Sequence, residues 1–266
     1  MNAWTEERLC KTCGKPFAAR VADVMGRPFG TTQCSDCAAL AGVGEEELVK
    51  EAERAAHKSK VQLWVATCGL HLRYWTATFE SWRQREPAAE LFQICQAYAD
   101  QFPVDRPPVM YRSLWLYSEA NGLGKTHLAA AIIHRILERS PRDKCPVRYV
   151  RGPALQLRVR RANEPPPPDT WRESEADIYE DLRGVPLLVL DDAGDPTGSP
   201  GEYSRRVYHH IIDERYSDGL PLVLCSNVST QRLREVIGPA AFDRLREMVQ
   251  GNSFELTGEK SWREEA

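Results

Sequence analysis

RSLWLYSEANGLGKTHLAAAIIHRILERS, residues 112–140, decides the fold. The apolar run Leu114-Trp115-Leu116-Tyr117 predicts a buried strand. Ser118 to Thr126 come next as a glycine-containing loop, and the Ala-, Ile- and Leu-rich residues after them predict a helix. Strand, glycine loop, Lys-Thr and helix is the context a phosphate-binding loop requires. Gly122 and Gly124 let backbone N–H groups approach a polyphosphate, and the helix start adds its own N–H groups and the positive end of its dipole. Asn121, Gly122, Leu123, Gly124, Lys125, Thr126 and His127 are therefore the candidate nucleotide-binding residues. Lys125 is expected to reach the β- and γ-phosphates, and the Thr126 hydroxyl to hold Mg²⁺. One position departs from the motif: Glu119 stands where a glycine is expected. A carboxylate beside a triphosphate is unfavourable unless it points away. Taken alone, the stretch also reads as a strand-turn-helix with an incidental Gly-Lys-Thr, so the rest of the chain has to supply the missing parts.

It supplies an acidic pair. Residues 185–192, VPLLVLDD, form a continuous apolar run closed by two aspartates. Such a run predicts a strand buried on both faces of a parallel sheet, and the carboxyl ends of such strands are where open α/β sheets bind ligands. Asp191 is expected to bind Mg²⁺, directly or through water, and Asp192 to polarise an attacking water. Packing alone does not explain two desolvated charges at a strand end. Residues 220–225 predict another buried strand, with Ser226-Asn227 after it. Asn227 is placed at the same sheet edge, within reach of a γ-phosphate or the attacking water; a turn-forming Asn is the plainer alternative.

The chain has 266 residues, 42% hydrophobic and 27% charged, with a net charge of −3. These values suit one full-sized domain with room for a smaller one. No global basic field points to nucleic acid, so DNA contact would have to come from local patches. No apolar run approaches the ~20 residues of a membrane span, and the first residues lack a signal-peptide layout, so a cytoplasmic location is expected. In that compartment the eight cysteines are not expected to form disulfides. Cys10-x2-Cys13 and Cys34-x2-Cys37 have the spacing of a four-thiolate Zn²⁺ ribbon with a short hairpin between the pairs. Four thiolates leave no vacant position, which argues against a catalytic zinc. Cys68, Cys95, Cys145 and Cys225 lack pair spacing and read as small buried residues.

Between these landmarks, residues 45–65 predict a solvated linker helix. Thr78 or Ser81 is expected to act as a helix cap, and residues 87–101 predict an amphipathic helix with Leu91, Cys95 and Tyr98 inward. Residues 147–150 predict a strand. Arg148, Arg151, Arg158, Arg160 and Arg161 form a basic stretch that reads either as a solvated face or as a nucleic-acid contact. After the four-proline loop at 165–168, residues 171–182 predict a helix. Further helices are expected at 202–217 and 230–237, and a last strand at 253–256.

These motifs together resemble the AAA+ ATPases. More narrowly, they resemble the bacterial helicase-loader and transposase-helper group, DnaC/DnaI-like and IstB-like. GLGKTHLAAAI resembles their Walker A, LLVLDDAGD their Walker B, and YHHIIDERYSDGLPLVLCSNVS their helix and sensor-1 strand. CGLHLRYWTATFESW resembles the segment preceding their ATPase core. FDRLREM resembles the box holding the arginine finger, which makes Arg244 the finger. The closing GEKSWR resembles their terminal signature, with Trp262 for Tyr, and makes Arg263 a sensor-2 candidate.

The resemblance implies a P-loop α/β core with a parallel five-stranded sheet. With about ten residues after the last expected strand, no helical lid is expected. The domain boundaries expected are a zinc ribbon at 1–43, a helical linker at 44–66, an N-terminal helical segment at 67–110 and the ATPase core at 111–266. The function implied is ATP-dependent loading of a replicative DNA helicase onto single-stranded DNA by a homo-oligomer, with Lys125, Asp192, Asn227 and Arg244 in catalysis. Single-stranded DNA would lie along Arg151, Arg158 and Arg160. Two alternatives are a transposase helper that binds target DNA and a nucleotide-binding adaptor without turnover. Glu119, and Asp192 where many relatives have Glu, bear on turnover.

Overall fold

The first cysteine pair sits in the turn of a small antiparallel sheet. Strand β1 (Ala3–Leu9) pairs with β2 (Pro16–Val24), which pairs with β3 (Arg27–Gly30). Gly14, at φ +71°, supplies the left-handed residue that lets the turn after Leu9 close onto Cys10. The hairpin expected between the cysteine pairs is β2–β3; β1 is an additional strand. Its residues Trp4 to Glu7 are all exposed, so no burial alternation marks it in the sequence. Helix α1 (Ser35–Leu40) carries Cys37. Helix α2 (Glu45–Thr67) runs two residues past the expected end and is not wholly solvated, since Ala56, Trp64 and Val65 are buried. The computed structural model describes residues 3–24, 27–40, 45–83, 88–165, 172–194 and 201–257. The chain divides into two compact units, Met1–Trp64 and Val65–Ala266.

In the second unit, Thr78 and Ser81 cap no helix. Each backbone N–H bonds the other's hydroxyl, at 2.9 and 3.3 Å, closing a turn of their own. Helix α3 (Ala89–Gln101) begins without a side-chain cap and buries the expected Leu91, Cys95 and Tyr98. The core then alternates: β4 (Leu114–Tyr117), α4 (Lys125–Arg139), β5 (Val147–Arg151), α5 (Gly152–Ala162), α6 (Glu175–Arg183), β6 (Leu187–Ala193), α7 (Glu202–Ser217), β7 (Leu222–Ser226), α8 (Thr230–Ile237), α9 (Pro239–Val249) and β8 (Ser253–Glu255). The five strands form one parallel sheet in the order β5-β6-β7-β4-β8. Every residue of β7 is buried, as a strand covered by helices on both faces requires. The expected strands at 185–192 and 220–225 both start late. Pro186 and Pro221 have no N–H for the ladder, so pairing begins at Leu187 and Leu222. Among the described residues no helix is long and apolar enough to cross a membrane.

The basic stretch divides. Arg148 grips Asp181 through two nitrogens, at 2.8 and 2.9 Å, and Arg158 pairs with Glu173. These two cations tie β5 and α5 to α6 and its approach, so Arg158 is committed within the chain. Arg151, Arg160 and Arg161 are exposed, and the Arg160 guanidinium lies 5.6 Å from the Tyr203 ring centre.

At the other end of the sheet, Arg215 of α7 is fully buried. It donates to the carbonyls of Leu182, Arg183, Val185, Pro186 and Pro221, at 2.6 to 3.3 Å. Burial pulls its pKa down, and the five carbonyl dipoles are what offset the desolvated charge. Replacing Arg215 by Ala strands these acceptors and opens a cavity, with an expected loss of about 4 kcal/mol. Urea unfolding measures it, as a lowered midpoint with little change in slope.

Candidate nucleotide site and metal centre

A cavity of about 350 Å³ opens at the carboxyl ends of β4, β6 and β7. Its floor is the loop between β4 and α4. Gly122 and Gly124 have φ of +79° and +100°, the left-handed region where a side chain is strained. At Gly124 a Cβ would also strike the Trp82 ring, so this position admits only hydrogen. The loop is closed from below by Ser118, whose hydroxyl donates to the Ala120 carbonyl at 2.7 Å. The Lys125 ammonium, 5% exposed, donates to Ser118 Oγ at 2.5 Å and to the Ala120 carbonyl at 3.2 Å. It is thus held over the loop by groups that a phosphate oxygen can replace. Asn121, Gly122, Leu123, Gly124, Lys125, Thr126 and His127 all line the cavity. Glu119 does not; it is exposed, with its carboxylate in water.

A β-bulge in β6 arranges the acidic pair. The β6–β7 register shifts between Leu190 and Ala193, and Asp192 has φ +52°. The bulge re-aims the two side chains relative to a regular strand. Asp192 lines the cavity together with Asn227, whose amide donates to the Asp192 carboxylate at 2.8 Å. Asp191 lies behind the wall. It is 2% exposed, and its carboxylate accepts the Tyr149 hydroxyl at 2.6 Å, with the Thr126 side chain close by. Burial raises its pKa, the neighbouring Asp192 charge adds to this, and the two hydroxyls oppose it. Two adjacent carboxylates beside the Thr126 hydroxyl form an all-oxygen donor set with surplus negative charge, which fits Mg²⁺. Such an ion, when bound with nucleotide, would supply charge neutralisation next to the phosphates.

The segment before the core forms the remaining wall. Arg73, Tyr74, Thr76, Ala77, Ser81 and Trp82 face the loop across the cavity. Two histidines of α4, His127 and His134, fasten it by donating Nε2–H to the carbonyls of Thr78 and Tyr74, at 3.0 and 3.2 Å. Burial lowers the pKa of His127, which keeps it neutral and a single donor on that nitrogen. His127, read from the sequence as a ligand residue, spends its ring on this contact, which local sequence does not show. Tyr149 carries no local signal either. Only the β5–β6 register, with Tyr149 opposite Val189, carries it to Asp191. Arg244 is not brought to the cavity; it pairs with Asp213 at 3.0 Å, on the helices α9 and α7. Arg263 lies outside the described residues.

The cysteines Cys10, Cys13, Cys34 and Cys37 form a separate centre, their sulfurs all within 4.8 Å of one another. Cys13 and Cys34 Sγ are 3.7 Å apart. A tetrahedral ion with Zn–S bonds of about 2.3 Å needs sulfurs about 3.8 Å apart. The Cys34 N–H donates to Cys10 Sγ at 3.3 Å, and such backbone donors lower that thiol to about 6. Cys37, close to the sulfurs of Cys13 and Cys34, is pushed up to about 12. A dication held by these four cysteines would balance the Cys10 thiolate and displace the Cys37 proton, and four sulfurs suit Zn²⁺.

No protein-family model matches the chain. It is 26% identical over 225 residues to the replicative helicase loader DnaC of Escherichia coli strain K12, covering 79% of this chain and 82% of that protein. In structure it is similar to a crystal structure of the DnaC helicase loader, with a TM-score of 0.55 and 19% identity over 71% of this chain and all of that one. It is also similar to the replication initiator DnaA bound to AMPPCP and single-stranded DNA, with a TM-score of 0.52 and 18% identity, covering 71% of this chain and 51% of that one. The fold is that of the AAA+ P-loop ATPases, and the sequence resembles the DnaC-like helicase loaders.

Because Cys37 keeps its proton far above neutrality while Cys10 loses its own near 6, zinc uptake has to displace at least one proton. Zinc affinity is therefore expected to rise between about pH 6.5 and about pH 8. Competition against a chromophoric chelator at these two pH values checks this, and equal affinities would contradict it.

Proposed function

We propose that this chain is an ATP-dependent loader of a replicative DNA helicase onto single-stranded DNA. The observation that carries the reading is the joint one. A phosphate loop, an acidic pair and an asparagine meet in one cavity, in a chain that aligns with 82% of the length of a helicase loader. ATP fits the loop because Lys125 can exchange the Ser118 hydroxyl and the Ala120 carbonyl for phosphate oxygens. Thr126, with Asp191 behind it, holds Mg²⁺. Asn227 fixes the Asp192 carboxylate facing the cavity, where it orients the attacking water. The exposed position of Glu119, outside the cavity lining, supports turnover.

Arg244 completes the site from a neighbouring copy of the chain. Its pairing with Asp213 is partly exposed, and such a pair contributes only about 0–1 kcal/mol, so release to a phosphate is cheap. That arrangement makes hydrolysis depend on assembly. Single-stranded DNA runs along the exposed Arg151 and Arg160 rather than Arg158, in keeping with the DNA-bound initiator of the same fold. The zinc unit holds the helicase.

A trans arginine is worth roughly 10³–10⁵ in phosphoryl-transfer rate, so Arg244→Ala should lower ATPase turnover by orders of magnitude and leave ATP affinity unchanged. Steady-state ATPase assays beside fluorescent-nucleotide titration decide this; unchanged turnover removes the finger assignment. Co-purification with a replicative helicase, with and without ATP, tests the function itself. Retention by the full chain and its loss on removing residues 1–40 are expected. Binding that persists without those residues overturns the role given to the zinc unit.

A further inference from the structure

Asp191 is fixed by a side chain that no phosphate-loop motif contains. The Tyr149 hydroxyl donates to Asp191 Oδ2 at 2.6 Å, with Tyr149 5% and Asp191 2% exposed. Tyr149 is itself immobilised on both sides of its backbone. Its strand β5 pairs with β6 on one edge, with Tyr149 opposite Val189. On the other edge its N–H donates to the Cys68 carbonyl at 2.8 Å, and Gly69 runs so close to its carbonyl oxygen that a Cβ there would collide with it. A tyrosine held in this way presents its hydroxyl at one place. The Asp191 carboxylate meets it with one oxygen, and Thr126 is close enough to oppose the rise in its pKa. Thr126 lines the cavity and Asp191 does not.

We propose that Tyr149 is a positioning residue for the divalent cation of the nucleotide site, acting through the Asp191 carboxylate that its hydroxyl holds. This rests on the nucleotide-site reading above. Without the phenol the carboxylate is free to rotate about its Cβ–Cγ bond, away from the orientation in which it would meet the ion. Groups that stand behind a metal ligand in this way typically contribute about 10–100-fold in metal affinity. The phosphate contacts of Lys125 and the glycine loop do not pass through Tyr149. Its effect is therefore confined to the magnesium-dependent part of nucleotide binding.

Tyr149→Phe keeps the ring and removes the hydroxyl. The measurement is the Kd of a fluorescent ATP analogue for the full chain, once with Mg²⁺ and once with EDTA, by anisotropy. For the unaltered chain Mg²⁺ tightens binding. For Tyr149→Phe the ratio of the two Kd values should shrink about tenfold, while the Kd in EDTA stays within about twofold of the unaltered chain. An undiminished ratio overturns the inference. An equal loss of affinity in both conditions also overturns it, because a tyrosine that only supports the fold would act on both. Failure of the unaltered chain to bind the analogue in either condition would instead overturn the nucleotide-site reading, and this inference with it.

Discussion

A carboxylate that is 2% exposed, at the end of a strand buried on both faces, cannot be left uncompensated, and much of the site's form answers to Asp191. The Tyr149 hydroxyl of β5 donates to it, and Thr126 in the first turn of α4 lies close by. The strand carrying it gives up regular pairing with β7 at that point. The bulge in turn brings Asp192 to the cavity, where Asn227 at the end of β7 meets it. The burial of one charge thus sets the relation among three strands and the helix that begins at Lys125. The same rule holds at the opposite end of the sheet with the sign reversed, where the cation of Arg215 collects five carbonyls.

Much of this order can be read in the sequence, and the exceptions share a cause. Helices α7 and α8 lie at the expected bounds because their apolar spacing is regular and their ends are marked, α7 by Gly201 and α8 by Ser229. The loop glycines and Lys125-Thr126 are legible because their spacing is itself the chemistry. What escapes depends on distant partners. Strand β1 is largely exposed and exists because β2 is beside it. Arg158 reads as a DNA contact until Glu173, fifteen positions on, is seen to take it. The role of Tyr149 is invisible in Val-Arg-Tyr-Val-Arg, since a strand pattern says nothing about which neighbour it will pair with. Thr78 and Ser81 resemble caps because a hydroxyl serves a turn and a helix start equally well.

The segment between α2 and α3 contributes more to the site than its irregular backbone suggests. It has only one 3₁₀ turn among its described residues, Leu72–Tyr74, yet it lines one side of the cavity. Trp82 rests its ring edge on His127, with ring centres 5.2 Å apart, and packs over Gly124. His127 and His134, seven residues apart on one face of α4, hold the segment along two turns of that helix. At its amino end Cys68 accepts from Tyr149, so the segment touches both the loop that would bind phosphate and the strand that holds Asp191.

This bears on where the protein can be cut. Judged by the motif alone, the catalytic portion would start just ahead of Leu114. A chain begun there would lack a wall of its cavity, the acceptors for His127 and His134 and the clamp on the outer edge of β5. The smallest self-sufficient piece of the second unit starts no later than Cys68, some forty-five residues ahead of the strand that announces it.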